Sequence, residues 1–301
     1  MILSDGSKFK PTCVLDACTI INLIYIDIEF DNDFLIKKLE DHYRINVSKK
    51  VIKETSDNVF LRLKRWNKVG TLNFLEKEKE IERKVALFRR FIISNEDISK
   101  NFGNDFFRTV KRRSNYRKEN GEFYSVALSI YISRRDYSHV TFYTDDKPAE
   151  GHFASFFRNQ QIGKIEDSID LLVFLYWRDS NFKKMDLERL LSDLHSKYAT
   201  RVSDLLSFVR KYKEQQPHSR IKKIKNLLDG MEHKLSVLDF SGINELKENI
   251  RQHKRNHSEL CNKIIEYEEV FELGTNSKGN FLTKIRETLK NLRNDRIYKF
   301  N

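Results

Sequence analysis

The chain has little of what bends, breaks or cross-links a polypeptide. Its 301 residues include 3 Cys, 3 Pro and 10 Gly. Cys13, Cys18 and Cys261 form no CxxC pair, so a disulfide framework is excluded and a reducing compartment is expected. The scarcity of Pro and Gly argues for many helices with short connections. Long apolar runs are missing too. The longest, such as "LLVFLYW" at 171–177, fall far short of the roughly 20 residues of a membrane span. The opening "MILSDGSKFKPTC" lacks a basic stretch followed by an apolar one, so no secretory signal is read there. A soluble, cytoplasmic protein without a membrane partner is the expectation. Acids are short relative to bases: 44 Asp and Glu against 56 Lys and Arg, a formal charge of +12. That balance favours polyanionic partners. With 39% hydrophobic residues, the chain can build a real core.

Short, continuously apolar strands alternate with helical patterns over residues 10–178. "CVL" (13–15) is followed by a helical stripe. "DFLIKKLEDHYRINVSKKVIKETSD" (33–57) reads as helix, strand at 43–47, then a helix capped by Ser48. Residues 58–119 read as mostly helical, and 120–136 as a helix after Asn120-Gly121. Val140, Phe142 and Tyr143 form a strand that Lys147-Pro148 ends. Residues 154–179 read as helix, brief link and apolar helix. This predicts an α/β fold with a parallel sheet. From 181 to 301 the apolar residues fall at three- and four-residue steps, predicting about four helices and no strand. That stretch holds 25 Lys and Arg against 17 Asp and Glu, and is the more basic part. The expected organisation is an α/β domain at 1–180, with a helical insert near 58–119, and an all-helical domain at 181–301.

Acids sit at the ends of these elements. Asp16 follows the first strand, and Asp145 and Asp146 follow the late one. Glu54 and Glu122 lie near helix ends. In a parallel sheet the C-terminal strand ends form one edge with a ligand crevice outside it. Singly, each acid reads as a turn former, a cap or solvated surface. Together, converging carboxylates repel unless a cation sits among them, and hard oxygen donors select Mg²⁺ or Mn²⁺.

These residues resemble the PIN-domain family. "VLDACTIINL" is similar to its opening motif, "VSKKVIKET" to its second through Glu54, "GEFYSVALS" to its third through Glu122, and "TFYTDDKPAEGHFA" to its fourth through Thr144, Asp145 and Asp146. The motifs span 16–146 in family order. The resemblance implies a Rossmann-like three-layer α/β/α fold and a Mg²⁺- or Mn²⁺-dependent endoribonuclease. It puts Asp16, Glu54, Glu122 and Asp146 in the catalytic core. Metal would be held by Asp16, Glu122 and Asp146, with Asp145 either a further ligand or a neighbour that orients one. Thr19, Asn22 and Thr144 would orient carboxylates or water. The long stretch between Glu54 and Glu122 and the helical extension depart from the compact family pattern. The extension is expected to bind substrate, to form a homodimer or to meet a regulatory protein. A conditional toxin or defence effector is one biological role this raises. Two other readings stand beside the ribonuclease: a non-cleaving module that binds RNA or a protein partner, and a nuclease acting on DNA, single-stranded DNA included.

Two further segments stand out. "RTVKRRSNYRKENGE" brings Arg108, Lys111, Arg112, Arg113, Arg117 and Lys118 up to Glu122, with Tyr116 placed to stack on a base. The competing reading is a solvated basic loop. "HKRNHSELC" spaces His253, His257 and Cys261 four apart on one expected helix. Three ligands on a straight helix do not close a zinc tetrahedron, so a polar helix face is the better reading.

Overall fold

The structure is a computed structural model that describes residues 9–28, 33–67, 74–268, 270–271 and 278–299. The chain divides into two units, Met1–Leu190 with Tyr298–Asn301, and Leu191–Ile297. The sequence pattern puts the change ten residues earlier. Phe182 is buried at 0% exposure, and the carbonyls of Ser180 (3.0 Å) and Phe182 (2.5 Å) accept from Lys299. These contacts keep the link after the last apolar helix within the first unit.

The first unit is built on five parallel strands: β1 (Thr12–Leu15), β2 (Arg44–Ser48), β3 (Ile92–Ile93), β4 (Val140–Tyr143) and β5 (Gly163–Glu166). Their order is β3-β2-β1-β4-β5. The chain steps outward from β1 to β3, then returns beside β1 and steps the other way. The point of reversal lies between β1 and β4, where ligands of open parallel sheets bind. β1 and β4 are buried along their whole length, which is why each has a single threonine among apolar residues.

Helices cover both faces. α1 (Ala17–Asp27) and α2 (Phe34–His42) join β1 to β2, and α3 (Lys49–Asn67) and α4 (Phe74–Phe88) join β2 to β3. α5 (Asn95–Phe102), α6 (Phe106–Ser114) and α7 (Gly121–Arg135) lead to β4. α8 (Lys147–Asn159) crosses to β5, and α9 (Ser168–Arg178) follows. Register partners Val14 and Phe142 share a core with Val126, Leu128 and Tyr131 of α7 and Phe153 and Phe157 of α8. Tyr143, one position on and so on the opposite face, meets the Tyr43 hydroxyl at 2.6 Å. The Tyr43 ring lies 4.9 Å from that of Phe174 in α9.

Three local readings need correction. β3 lies inside the stretch expected to be helical; two residues are too few for any periodicity to register. β5 stands where the sequence suggests only a link, because "GKIE" is only partly buried and carries charges. Its first residue, Gly163, has φ +150°, and a Cβ there would fall 2.0 Å from the Val140 carbonyl oxygen. Lys147-Pro148 is not simply a stop. It is the first turn of α8, where a proline loses no hydrogen bond, behind Asp146 as N-cap.

α4 is fixed by a buried charge network. Lys84, with its side chain 0% exposed, donates to Asp27 of α1 at 2.7 Å and to Asp33 at 3.1 Å. Asp33 also takes two bonds from Arg83, at 2.6 and 2.7 Å. Those Arg83 bonds, ahead of the Lys84 contact, hold its carboxyl down at about 2.

The second unit begins within α10 (Lys184–Gln215). It continues through α11 (His218–Ile221), α12 (Lys225–Val237), α13 (Ile243–Arg251), α14 (Ser258–Glu266) and α15 (Lys278–Arg293). Its core joins Val202, Leu205 and Val209 to Leu228, Met231, Ile250, Leu260 and Ile264. The apolar spacing reads as one helix over 219–238 and another over 245–273, and each is broken, at 222–224 and at 252–257. Arg251, Lys254 and Arg255 would stack like charges at three- and four-residue steps on one helical face, which destabilises a helix. The row of His253, His257 and Cys261 does not form the polar face expected of it, because His257 and Cys261 are buried. His257 is buried, with Nδ1 2.9 Å from the Tyr212 hydroxyl, and Cys261 Sγ lies 3.7 Å from the Ile250 carbonyl. Among the described residues no helix is long and apolar enough to cross a membrane.

Candidate active site at the sheet edge

Leu15 and Tyr143 are register partners at the ends of β1 and β4, so the residues that follow each strand are neighbours. The Asp16 amide donates to the Tyr143 carbonyl at 3.0 Å. Asp16 occupies the N-cap position of α1, yet its side chain caps nothing. Instead Oδ2 accepts from the Thr144 hydroxyl at 3.0 Å and from the Cys18 thiol at 3.2 Å. The Thr144 oxygen in turn accepts from the Asp146 amide at 3.1 Å. One hydroxyl thus ties the end of β1 to the turn that opens α8. Asp146 accepts the Ala149 amide at 3.2 Å through Oδ1 and remains half-buried.

Glu122 arrives from α7. Asn120 caps that helix, its Oδ1 accepting from the Phe123 amide at 3.3 Å, while its Nδ2 donates to Glu122 Oε2 at 2.8 Å. The Tyr116 hydroxyl donates to the same oxygen. Burial, then this contact, pushes the Tyr116 phenol upward, so it stays a donor.

These three acids sense one another. Burial, then the charge of Glu122, pushes Asp16 up to about 7. Burial also raises Glu122; the Tyr116 and Asn120 contacts oppose this, while the charge of Asp146 and a hydrogen bond with it add to it. Around Asp16 and Glu122 there is therefore more negative charge than the surroundings satisfy. All the donor atoms of the three acids are carboxylate oxygens, the chemistry a hard divalent cation takes. By that donor set Mg²⁺ or Mn²⁺ fits. The residues do not form a ready-made cage: among the described residues no group of three or more His, Cys, Asp or Glu is placed to hold a metal ion.

Other expected members have different work. Both oxygens of Glu54 accept from the Gly121 amide, at 3.0 and 3.1 Å. A Cβ at Gly121 would fall 2.3 Å from Glu54 Oε2, so any larger residue here must displace the Glu54 carboxylate. Glu54 anchors the first turn of α7, and hence the backbone beside Glu122. Asp145 is 1% exposed. It accepts from Asn22 at 2.6 Å, from the Ser168 amide at 2.8 Å and from the Ser168 hydroxyl. Both its oxygens are engaged in tying β4 to α1 and α9, the contacts of the orienting neighbour among its two expected roles. Asn22 accordingly orients Asp145, not an acid of the cluster. Thr19 is fully buried and its hydroxyl has no hydrogen-bond partner; it orients no carboxylate. Cys18 takes that role, one residue earlier. Asn120 and Ser168 are further members that the motifs do not single out. Each is legible from the preference of Asn and Ser for helix starts, but the carboxylate each meets is not.

The basic segment is only partly available. Arg108 pairs with Asp105 and Lys111 with Glu119, each at 2.6 Å. Arg112, Arg113, Arg117 and Lys118 are exposed. Tyr116 is no open stacking platform: its ring lies 4.7 Å from that of Phe153 and 5.1 Å from that of His152. His152, also unforeseen, is held 2.9 Å from the Ser114 carbonyl oxygen. A cleft of about 830 Å³ opens between α5, α6 and the start of α7, lined in part by Lys100, Phe107, Arg108, Lys111 and Tyr124.

Neither family models, nor curated protein sequences, nor solved structures match this chain.

Proposed function

We propose that the chain is a metal-dependent endonuclease of the PIN type, hydrolysing phosphodiester bonds of RNA. The observation that carries this reading is the convergence of Asp16, Glu122 and Asp146 at the β1/β4 reversal, with Asp16 and Glu122 both raised by burial and by a neighbouring acid. Such an acidic centre destabilises a fold unless it serves a ligand.

Asp16, Glu122 and Asp146 would hold Mg²⁺ or Mn²⁺. When bound, such an ion offsets the charge that develops on a phosphodiester and activates water. The chain's own residues set the positions. Thr144 and Cys18 fix one oxygen of Asp16, Tyr116 and Asn120 fix one oxygen of Glu122, and Glu54 fixes the α7 terminus. Asp145 holds the α9 start against the same turn. Hydrogen-bonded partners of this kind keep a carboxylate oriented before substrate arrives.

The test is cleavage of labelled total RNA and of single-stranded DNA with Mn²⁺. Asp16→Asn, Glu122→Gln and Asp146→Asn should each lower the rate more than ~100-fold, beyond what loss of an orienting partner causes, with the fold intact by circular dichroism. Undiminished cleavage in the purified variants sinks the assignment. RNA binding without cleavage across metals and substrates would favour a non-cleaving module, and cutting of DNA alone would move the substrate class.

A further inference from the structure

The second unit carries a concentration of charge that the proposed chemistry leaves unused. No acid lies between Glu214 and Asp229, or between Glu248 and Glu259. Both acid-free segments coincide with the two helix breaks, and the structure joins them. The Arg220 guanidinium donates to the Asn256 carbonyl at 3.0 and 3.3 Å. Arg220, Lys222, Lys223, Lys225, Lys254 and Arg255 are all exposed, and among the described residues none pairs with a carboxylate. Arg251 stands apart, bound to Glu248 at 3.1 Å.

The ridge rests on a firm base. Ile221, Ile224 and Ile250 are 7%, 0% and 0% exposed and share one core with Tyr212, and Tyr212 holds the buried His257. Its cations therefore project from a fixed surface. Apart from the Arg220 bond, folding gains little from this arrangement. Lys222, Lys223 and Lys225 crowd the start of α12, which has neither an acidic residue in its first turn nor a side-chain cap. Cations there oppose the helix dipole.

We propose that this ridge binds the phosphate backbone of RNA. Charge without carboxylates is the footprint of a sequence-independent backbone contact. An anionic membrane surface is the weaker fit. A helix lying on lipid presents an apolar face, whereas the isoleucines here turn into the core, and no large apolar side chain is exposed at 219–225 or 251–257. The choice of RNA as the polyanion rests on the nuclease reading; the ridge itself does not.

The experiment measures binding of a fluorescein-labelled oligouridylate by anisotropy across a KCl series, in an Asp16→Asn background that does not cut. Replacing Lys222, Lys223, Lys254 and Arg255 by Gln should weaken binding about tenfold or more at low salt. It should also flatten the slope of log affinity against log salt by roughly 3, at about 0.7 for each phosphate no longer neutralised. The pair Lys222→Gln/Lys223→Gln should give about half that change in slope, which keeps the test decisive if the fourfold variant folds poorly. Lys222→Arg/Lys223→Arg/Lys254→Arg should bind like the parent. Unchanged affinity and slope overturn the ridge, as does tighter binding to phosphatidylglycerol vesicles than to the oligonucleotide. Cleavage by a protein whose binding ignores the ridge sinks this inference alone. Ridge-dependent binding by a wild type that never cuts sinks the nuclease reading alone.

Discussion

Two regions of this molecule concentrate charge in opposite ways. At the sheet edge of the first unit, Asp16 is 4% exposed; burial and then the charge of Glu122 raise its pKa, and burial and the charge of Asp146 raise that of Glu122. On the second unit, six cations stand in solvent on two segments that each contain no acid. Buried like charges interact strongly, because little water screens them; exposed ones interact weakly and in a salt-dependent way. Clusters of like charge thus have different consequences by location. The acids are expensive to hold and specific in geometry. The cations cost the fold little, and their geometry can be loose.

The comparison is sharpened most by breaking a buried charge that is fully paired. Lys84→Met leaves Asp27 buried without its cation, and should lower stability in urea denaturation by about 3–5 kcal/mol. Adding Asp27→Asn should recover part of that loss. A change below about 1 kcal/mol for the single variant would mean that Asp27 finds another partner.

Asp16 comes next. Its folded pKa of about 7 lies above its ordinary 3.8. The carboxyl therefore contributes stability that is complete below pH 3.8 and is lost as pH rises through about 7. The loss is on the order of a few kcal/mol at full ionisation. Asp16→Asn should remove that segment of the profile, so the variant should gain on wild type in melting temperature between pH 4 and pH 8. Parallel profiles would contradict the buried, charge-coupled environment.

Gly121→Ala drives a Cβ into the Glu54 carboxylate and should cost about 1–3 kcal/mol. Glu54→Ala in the same chain should relieve the clash. Equal losses in the single and double variants would mean that the contact is not the cause. The smallest effect belongs to the ridge. Lys222→Gln/Lys223→Gln should raise the thermal stability of the chain slightly, by about 0.3–1 kcal/mol, since it removes cations from a helix N-terminus. A destabilisation of more than that would give these lysines a structural role.

Much of this is legible in sequence, for reasons that particular residues make plain. β1 and β4 are largely apolar strands, and Ser48 caps its helix with its side chain as expected; Asn120, expected only to break the chain, turns out to cap the next helix. The α/β class and the parallel sheet follow from such signals. β3 and β5 escape because one is two residues long and the other is a half-exposed edge. The site is legible as a set of acids at element ends, but not in its division of labour. Asp145 and Asp146 are adjacent and chemically alike. Only the fold shows that Ser168 and Asn22 claim the first and leave the second facing Glu122. Nor can spacing reveal that Cys18, and not Thr19, turns toward Asp16, since one residue's rotation about a helix decides it.

The most direct test remains Mn²⁺-dependent cleavage of RNA by wild type against Asp146→Asn, with the cleaved ends sequenced. Wild type should make defined internal cuts and the variant should cut more than ~100-fold more slowly, at unchanged oligouridylate affinity. Equal cutting by both proteins would contradict the proposed site.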